Sequence, residues 1–240
     1  MAIVEAHTKF DIDHAFVATS GDLEKLWSLL AMDGGMEVTA KASCADGLVR
    51  HFSTVDGLSH YENAQRAAIA SMEISGRVHE PYRTAEISLG ARYGSPVSVS
   101  IRGEENLVLS LRMAISDIVS GMKPWYSRIS TFDLFVVWFS IFVVLFGLLQ
   151  TMTPSNAPAP GLPFPKAVGV MIVGIGLMGL IIALVSGVSS LRKRIFPVVT
   201  FAIGQGMARH THLEQFRWVV IVGFVVGILA SIVGTLLLAA

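Results

Sequence analysis

Trp218 to Ala240 reads WVVIVGFVVGILASIVGTLLLAA. These 23 residues contain no Asp, Glu, Lys or Arg, and about 20 apolar residues of helix cross the hydrocarbon core of a bilayer, so a transmembrane helix is expected there. Leu134 to Met152 and Ala167 to Val188 are equally free of charge. A buried helix of a soluble core can be this apolar, but three such stretches within the last 110 residues, with no charged face on any of them, point to spans. The carboxyl-terminal part is therefore expected to be an all-α bundle of three transmembrane helices, 134-152, 167-188 and 218-240. The amino terminus, MAIVEAHTKFDIDH, has acidic residues where the apolar core of a signal peptide would lie, and no such peptide is expected.

Composition agrees with two physically different parts. The chain has 240 residues, of which 52% are hydrophobic and 15% charged. Its mean hydropathy is +0.61. Those values exclude a purely soluble, a disordered or a collagen-like chain. Net charge is zero, yet residues 1–130 carry 16 acidic and 12 basic side chains and residues 131–240 carry 2 and 6. The expected division is a cytoplasmic α+β sensor or interaction domain over 1-122 and a transmembrane domain over 123-240. Within the latter, the loop 189-217 holds Arg192, Lys193, Arg194, Arg209 and Arg217 against Glu214 alone, whereas Thr153 to Lys166 holds five prolines and one charge. Basic loops stay in the cytoplasm, so the amino-terminal domain is expected inside a cell inner membrane and the carboxyl terminus outside. Lys123, Trp125, Tyr126 and Arg128 suit a headgroup-level anchor.

In the amino-terminal part, Phe10, Ile12, His14 and Phe16 alternate as a strand does. Thr19 to Asp22 has capping-box character and places Leu23, Leu26, Trp27 and Leu30 on one helical face. Met36 to Ala42 and Leu48 to Ser53 suggest strands around an Asp46-Gly47 turn. A helix is expected over Leu58 to Ala70, then strands at Glu73 to His79, Thr84 to Leu89 and Val97 to Arg102. Glu104 to Ser120 is amphipathic, with Leu107, Leu111, Ile115 and Ile118 on one side and Gly121 and Pro124 as stops. The sum is a mostly antiparallel sheet with helices on one face.

No catalytic set, metal site or cofactor motif emerges. Gly174-x-Gly176-x-x-Gly179 matches the dinucleotide fingerprint in letters but lies in an apolar helix with no preceding strand. His210-x-His212-x-Glu214 is too sparse for a ligand set, and Cys44 has no partner for a disulfide or a CxxC site. Arg77, Arg83, Arg92 and Arg102, with Tyr82 and Tyr93, are the candidate ligand residues: guanidinium forks suit phosphate and aromatic rings suit bases. Solvated arginines on an open sheet face are the alternative.

In the first span Phe132, Phe135, Phe139, Phe142 and Phe146 recur at 3, 4, 3, 4 spacing and form a seam, with Asp133 at its cytoplasmic end. In an oligomer that seam could line a pore as a hydrophobic gate and Asp133 could attract cations. Gly179, Ala183 and Gly187, and then Gly223, Gly227 and Ser231, repeat small residues every fourth position and suit close helix packing. Ile195 to Gly204 is too short to span and suggests a strand or interfacial segment, one able to tie the soluble sheet to the spans.

The plan of a small cytoplasmic α+β domain followed by a short helix bundle resembles, across the whole chain, the membrane effectors of bacterial antiviral defence. The resemblance implies a homo-oligomeric inner-membrane pore or membrane-disrupting effector, gated by a nucleotide, a short oligonucleotide or a cytosolic signalling protein. The other function considered is a non-conducting membrane anchor or scaffold that recruits a cytosolic partner. Membrane lipid and a second copy of the chain are the partners common to the first reading.

Overall fold

The computed structural model describes residues 5–90, 94–131, 138–140, 144, 179 and 182–239. Seven of its strands begin in the amino-terminal half: β1 (Glu5–Ile12), β2 (Phe16–Thr19), β3 (Glu37–Cys44), β4 (Val49–Phe52), β5 (Ile69–Val78), β6 (Arg83–Leu89) and β7 (Val97–Glu104). Six of them form one antiparallel sheet in the order β1-β7-β6-β5-β3-β4. Apolar residues at every second position explain the sheet. Val38, Ala40, Ala42 and Cys44 of β3, Ala85, Ile87 and Leu89 of β6, and Val97, Val99 and Ile101 of β7 are all buried on one face.

Helices α1 (Ser20–Ser28) and α3 (Glu105–Gly121) cover that face. Thr19 caps α1 as expected: its Oγ1 accepts from the Asp22 N–H while Asp22 Oδ2 accepts from the Thr19 N–H. Leu23, Leu26, Trp27 and Leu30 are then buried, the last from a π-helical turn over Leu29–Asp33. On α3 the fully covered residues are Val108, Leu111, Ile115 and Val119, each contributing about 1.5–3 kcal/mol by leaving water. Leu107 and Ile118, expected on this face, are only partly buried beside it.

Of two further local expectations, one holds and one fails. Asp46-Gly47 does turn β3 into β4, with Gly47 at φ +80° and the Cys44 N–H donating to the Leu48 carbonyl at 3.0 Å. The helix expected over Leu58 to Ala70 is instead a short α2 (Val55–Ser59), a loop, and a 3-10 turn at Gln65–Ala67. Asn63 breaks it. That residue sits at φ +49° with its side chain drawn into contacts with distant backbone, which a helix interior cannot accommodate.

After α4 (Ser127–Thr131) the described chain resumes as helix α5 over 182–195, then β8 (Val199–Ala202) and a long helix α6 (Gln205–Ala239). Contacts divide the molecule into a unit of Met1–Thr131 with Pro197–Ala240 and a unit of Phe132–Phe196. Within the first unit β8 pairs in parallel with β2, as a separate two-stranded sheet. The expected link between Ile195–Gly204 and the α+β domain thus exists, but on β2 rather than on an edge of the large sheet.

The α+β domain is as expected; the three-helix transmembrane bundle is not. Among the described residues one helix, Gln205–Ser231, is long and apolar enough to cross a membrane by length and composition. The expected spans 134-152 and 167-188 fall largely outside the described residues, so no multi-pass arrangement is supported. The helix that is present also begins 13 residues before the span read from the sequence, because Gln205 to Arg217 are helical too.

Candidate functional site

Among the described residues no element covers the face of the large sheet opposite α1 and α3, and its centre is wholly polar. Its strand register lines up residues across the sheet: His7, Arg102, Thr84, Arg77 and Glu37 form one row, and Lys9, Ser100, Glu86, Ser75 and Thr39 the next. At the β1 end lies a groove of about 420 Å³ lined by Glu5, Ala6, His7, Tyr82, Thr84, Ser100 and Arg102. Arg102 is its centre. Its Nε donates to Glu5 Oε1 at 2.8 Å and its guanidinium lies 5.5 Å from the Tyr82 ring centre. His7 Nε2 lies 3.3 Å from Ser100 Oγ.

The candidate arginines do not gather into one pocket. Arg102 and Arg77 share the open face but stand two strands apart, roughly 10 Å. Arg83 has the opposite parity on β6, that of Ala85 and Ile87. Its stem packs where a Cβ on Gly103 would stand, and its guanidinium lies 3.9 Å from Glu104 beside a smaller groove of about 330 Å³. Arg92 and Tyr93 lie outside the described residues. Of the six residues, the structure brings together Arg102 and Tyr82.

A second polar constellation, at the root of α6, was not legible as a site. Arg217 has no exposed surface; its guanidinium lies 4.0 Å from the Tyr126 ring centre and its Nη1 donates to Glu214 Oε2 at 2.7 Å. Trp125 Nε1 donates to the other carboxylate oxygen at 2.6 Å, and the Trp125 ring lies 5.7 Å from Trp218. Burial pushes the Tyr126 phenol above its ordinary range, against the pull of Arg217. Burial likewise lowers His210, with the Arg217 charge acting the same way and Glu214 opposing. Tyr126 and Arg217, expected at a headgroup layer and in a basic loop, are therefore interior residues that grip each other. The available signal was Glu214-x-x-Arg217, an ion pair at helical i, i+3 spacing one residue before the uncharged run.

Backbone contacts complete the root. The Phe16 N–H donates to the Val198 carbonyl at 2.9 Å and the Gln205 N–H to the Glu62 carbonyl at 2.8 Å. Asn63 Nδ2 donates to the Phe201 carbonyl and Asn63 Oδ1 accepts from the Ile69 N–H, both at 2.9 Å, while Arg209 Nη2 donates to the Asn63 carbonyl. Gly204 stands at φ +48°, where a Cβ would meet the Glu62 and Tyr61 carbonyl oxygens at 2.5 and 2.6 Å. Phe16 and Phe201 pack edge to face at 5.8 Å.

Other candidates are placed singly. Cys44 is buried, with Sγ 3.9 Å from Tyr61 Oη, and fills the end of β3. Glu214 is engaged by Arg217 and Trp125, and no group of three metal-ligating side chains converges among the described residues. Of the gate residues, Phe139 is described and exposed, while Asp133, Phe135, Phe142 and Phe146 lie outside the described residues. Gly179, Ala183, Gly187, Gly223, Gly227 and Ser231 are exposed, and no described atom comes within 4 Å of a Cβ position at any of the four glycines. No known protein family, no curated protein and no solved structure matches the chain.

Proposed function

We propose that this chain is a membrane-attached binding module, an anchor that presents a polar sheet face to a cytosolic ligand or partner. The change of surroundings along α6 supports this. Up to Arg217 the helix is held on the α+β domain; beyond it, Trp218, Val219, Val222, Phe224, Val226 and Leu229 are each about half or more exposed. An uncovered helix of that composition is unstable in water and stable in lipid. Trp218 to Ala239 extends about 33 Å at 1.5 Å per residue, matching the ~30 Å hydrocarbon core. The basic residues before it support a domain in the cytoplasm at an inner membrane, with the carboxyl terminus outside. Attachment needs only the one apolar helix that the described residues contain, so attachment is the function proposed.

Membrane fractions washed with alkaline carbonate test the attachment. The full chain should stay in the pellet, and a chain ended after Arg217 should move to the supernatant. Release of the full chain would overturn the anchor. A reporter joined after Ala240 should be active only in a compartment outside the cytoplasm.

The groove at Arg102 and Tyr82 is where the module would bind a ligand carrying a phosphate and a flat ring. Its volume lies in the range of small-molecule sites, and a guanidinium stacked on a phenol offers both contacts. Calorimetric titration with a nucleotide panel should find one that binds, with Arg102→Ala weakening it ~10-fold or more and Glu5→Gln, which frees the guanidinium, strengthening it.

A further inference from the structure

The outer edge of the large sheet is a second surface on β1, whose first residues Glu5, Ala6 and His7 also line the groove. β1 is hydrogen-bonded to β7 along one side, and among the described residues no strand pairs with its other side. That leaves an eight-residue edge, while the opposite edge, β4, has four. A long regular edge is a template for another strand, and exposed charges decide which strand it accepts.

The charges on β1 and its continuation have a definite order. Beyond Glu5, which Arg102 engages, His7 and Lys9 precede Asp11 and Asp13; all are exposed, and His7, Lys9 and Asp11 share the open-face parity of β1, with Asp13 just past its end. Lys9, Asp11 and Asp13 make no ion pair among the described residues. The order reverses sign about Phe10. If two copies of β1 run antiparallel with Phe10 opposite Phe10, Lys9 faces Asp11 of the second copy, His7 faces Asp13 of the second copy, and both pairs occur twice. A parallel in-register pairing would instead set Lys9 against Lys9 and Asp11 against Asp11. On the other side of the strand, Phe10 is half-buried with the Arg112 guanidinium 5.4 Å from its ring, so the two Phe10 rings would meet between two arginines.

We propose that β1 is a homodimer interface, in which two copies join β1 to β1 antiparallel about a two-fold axis at Phe10 and make one continuous twelve-stranded sheet. Such a contact is isologous and closes at two subunits. Both ligand grooves then open on the same face of the joined sheet.

Sedimentation of the purified full chain in a mild detergent, over a range of protein concentrations, tests the proposal. The wild type should dimerise reversibly. Lys9→Asp turns both copies of the Lys9–Asp11 pair into like charges and should raise the dissociation constant by roughly 10-fold or more. Adding Asp11→Lys to it reverses the pattern without changing composition and should restore dimerisation. Because these side chains are exposed, the fold is not at stake; Phe10→Cys gives an independent reading, since only a residue on the axis lies opposite itself within disulfide reach under mild oxidation. A wild type that stays monomeric, a Lys9→Asp chain that dimerises as the wild type does, or a double variant that stays as weak as the single one would each overturn the interface.

Discussion

Gln205 to Arg217 and Trp218 to Ala239 are consecutive stretches of one helix, yet they reverse the usual relation between polarity and burial. The first stretch holds a fully buried arginine, a half-buried glutamate and a histidine whose pKa is lowered by burial. The second, without a charge, leaves Val219 and Phe224 about 70% exposed. In water alone this would cost on both counts, since a buried cation needs partners and exposed apolar surface seeks cover. The difference is explained if the two stretches meet different solvents. Arg217 is held by Tyr126 and Glu214 inside the domain, and on the proposed reading the helix beyond it would have lipid in place of a protein core.

The comparison breaks most readily at the root. Gly204→Val combines a β-branched residue at positive φ with a Cβ on two carbonyl oxygens, and should destabilise the junction by on the order of 4 kcal/mol. Limited proteolysis should then cut between β8 and α6 while the antiparallel sheet persists. Next in size is Arg217→Ala, which strips the cation from Tyr126 and leaves Glu214 to Trp125 alone. The loss should be about 3 kcal/mol, roughly 6–12 °C in Tm by tryptophan fluorescence in detergent, and Arg217→Lys should recover only part because it lacks the planar fork.

A pH series sharpens the comparison more gently. His210 titrates near 6.5 when unfolded and lower when folded. Below about 6.5 the unfolded chain takes up a proton that the folded one refuses, so stability should fall as pH drops from neutral toward the folded pKa. His210→Gln should flatten that slope. The smallest effect is expected on the shaft: Phe224→Ala removes a large apolar side chain yet should change Tm by no more than ~0.5 kcal/mol equivalent, because nothing in the domain packs on it. A large loss there would mean that the shaft is covered by protein.

What was legible in the sequence is what depends on near neighbours. Alternation along Val38, Ala40 and Ala42, the Thr19 capping box and the Asp46-Gly47 turn each involve residues within a few positions, and each appears as expected. The Leu58–Ala70 segment failed because Asn63 answers to the Phe201 carbonyl, 138 residues away, and no local pattern carries that. The ligand arginines were sorted by parity and register, which place Arg83 and Arg102 on opposite sides of neighbouring strands although both looked alike in sequence. The bundle of three spans rested on absence of charge alone. That criterion recognises a stretch able to sit in lipid, and among the described residues it is met by α6. Tyr126 and Arg217 carried the profile of interface residues, and only the fold reveals that they face each other.

The pairing of β2 with β8 also sets a schedule for biosynthesis. Phe16 meets Val199, so β2 is translated about 180 residues ahead of the strand it needs. At a synthesis rate of 5–20 residues per second, its edge waits roughly 10–40 s, by which time the six-stranded sheet has already emerged. During that interval nascent chains expose an unpaired apolar strand that the finished protein hides, and a stalled chain ending before Val199 should be selectively cut by protease, or held by a chaperone, at Phe16 to Thr19. The same order means that the domain becomes complete only when β8 has been made, immediately before the apolar helix α6.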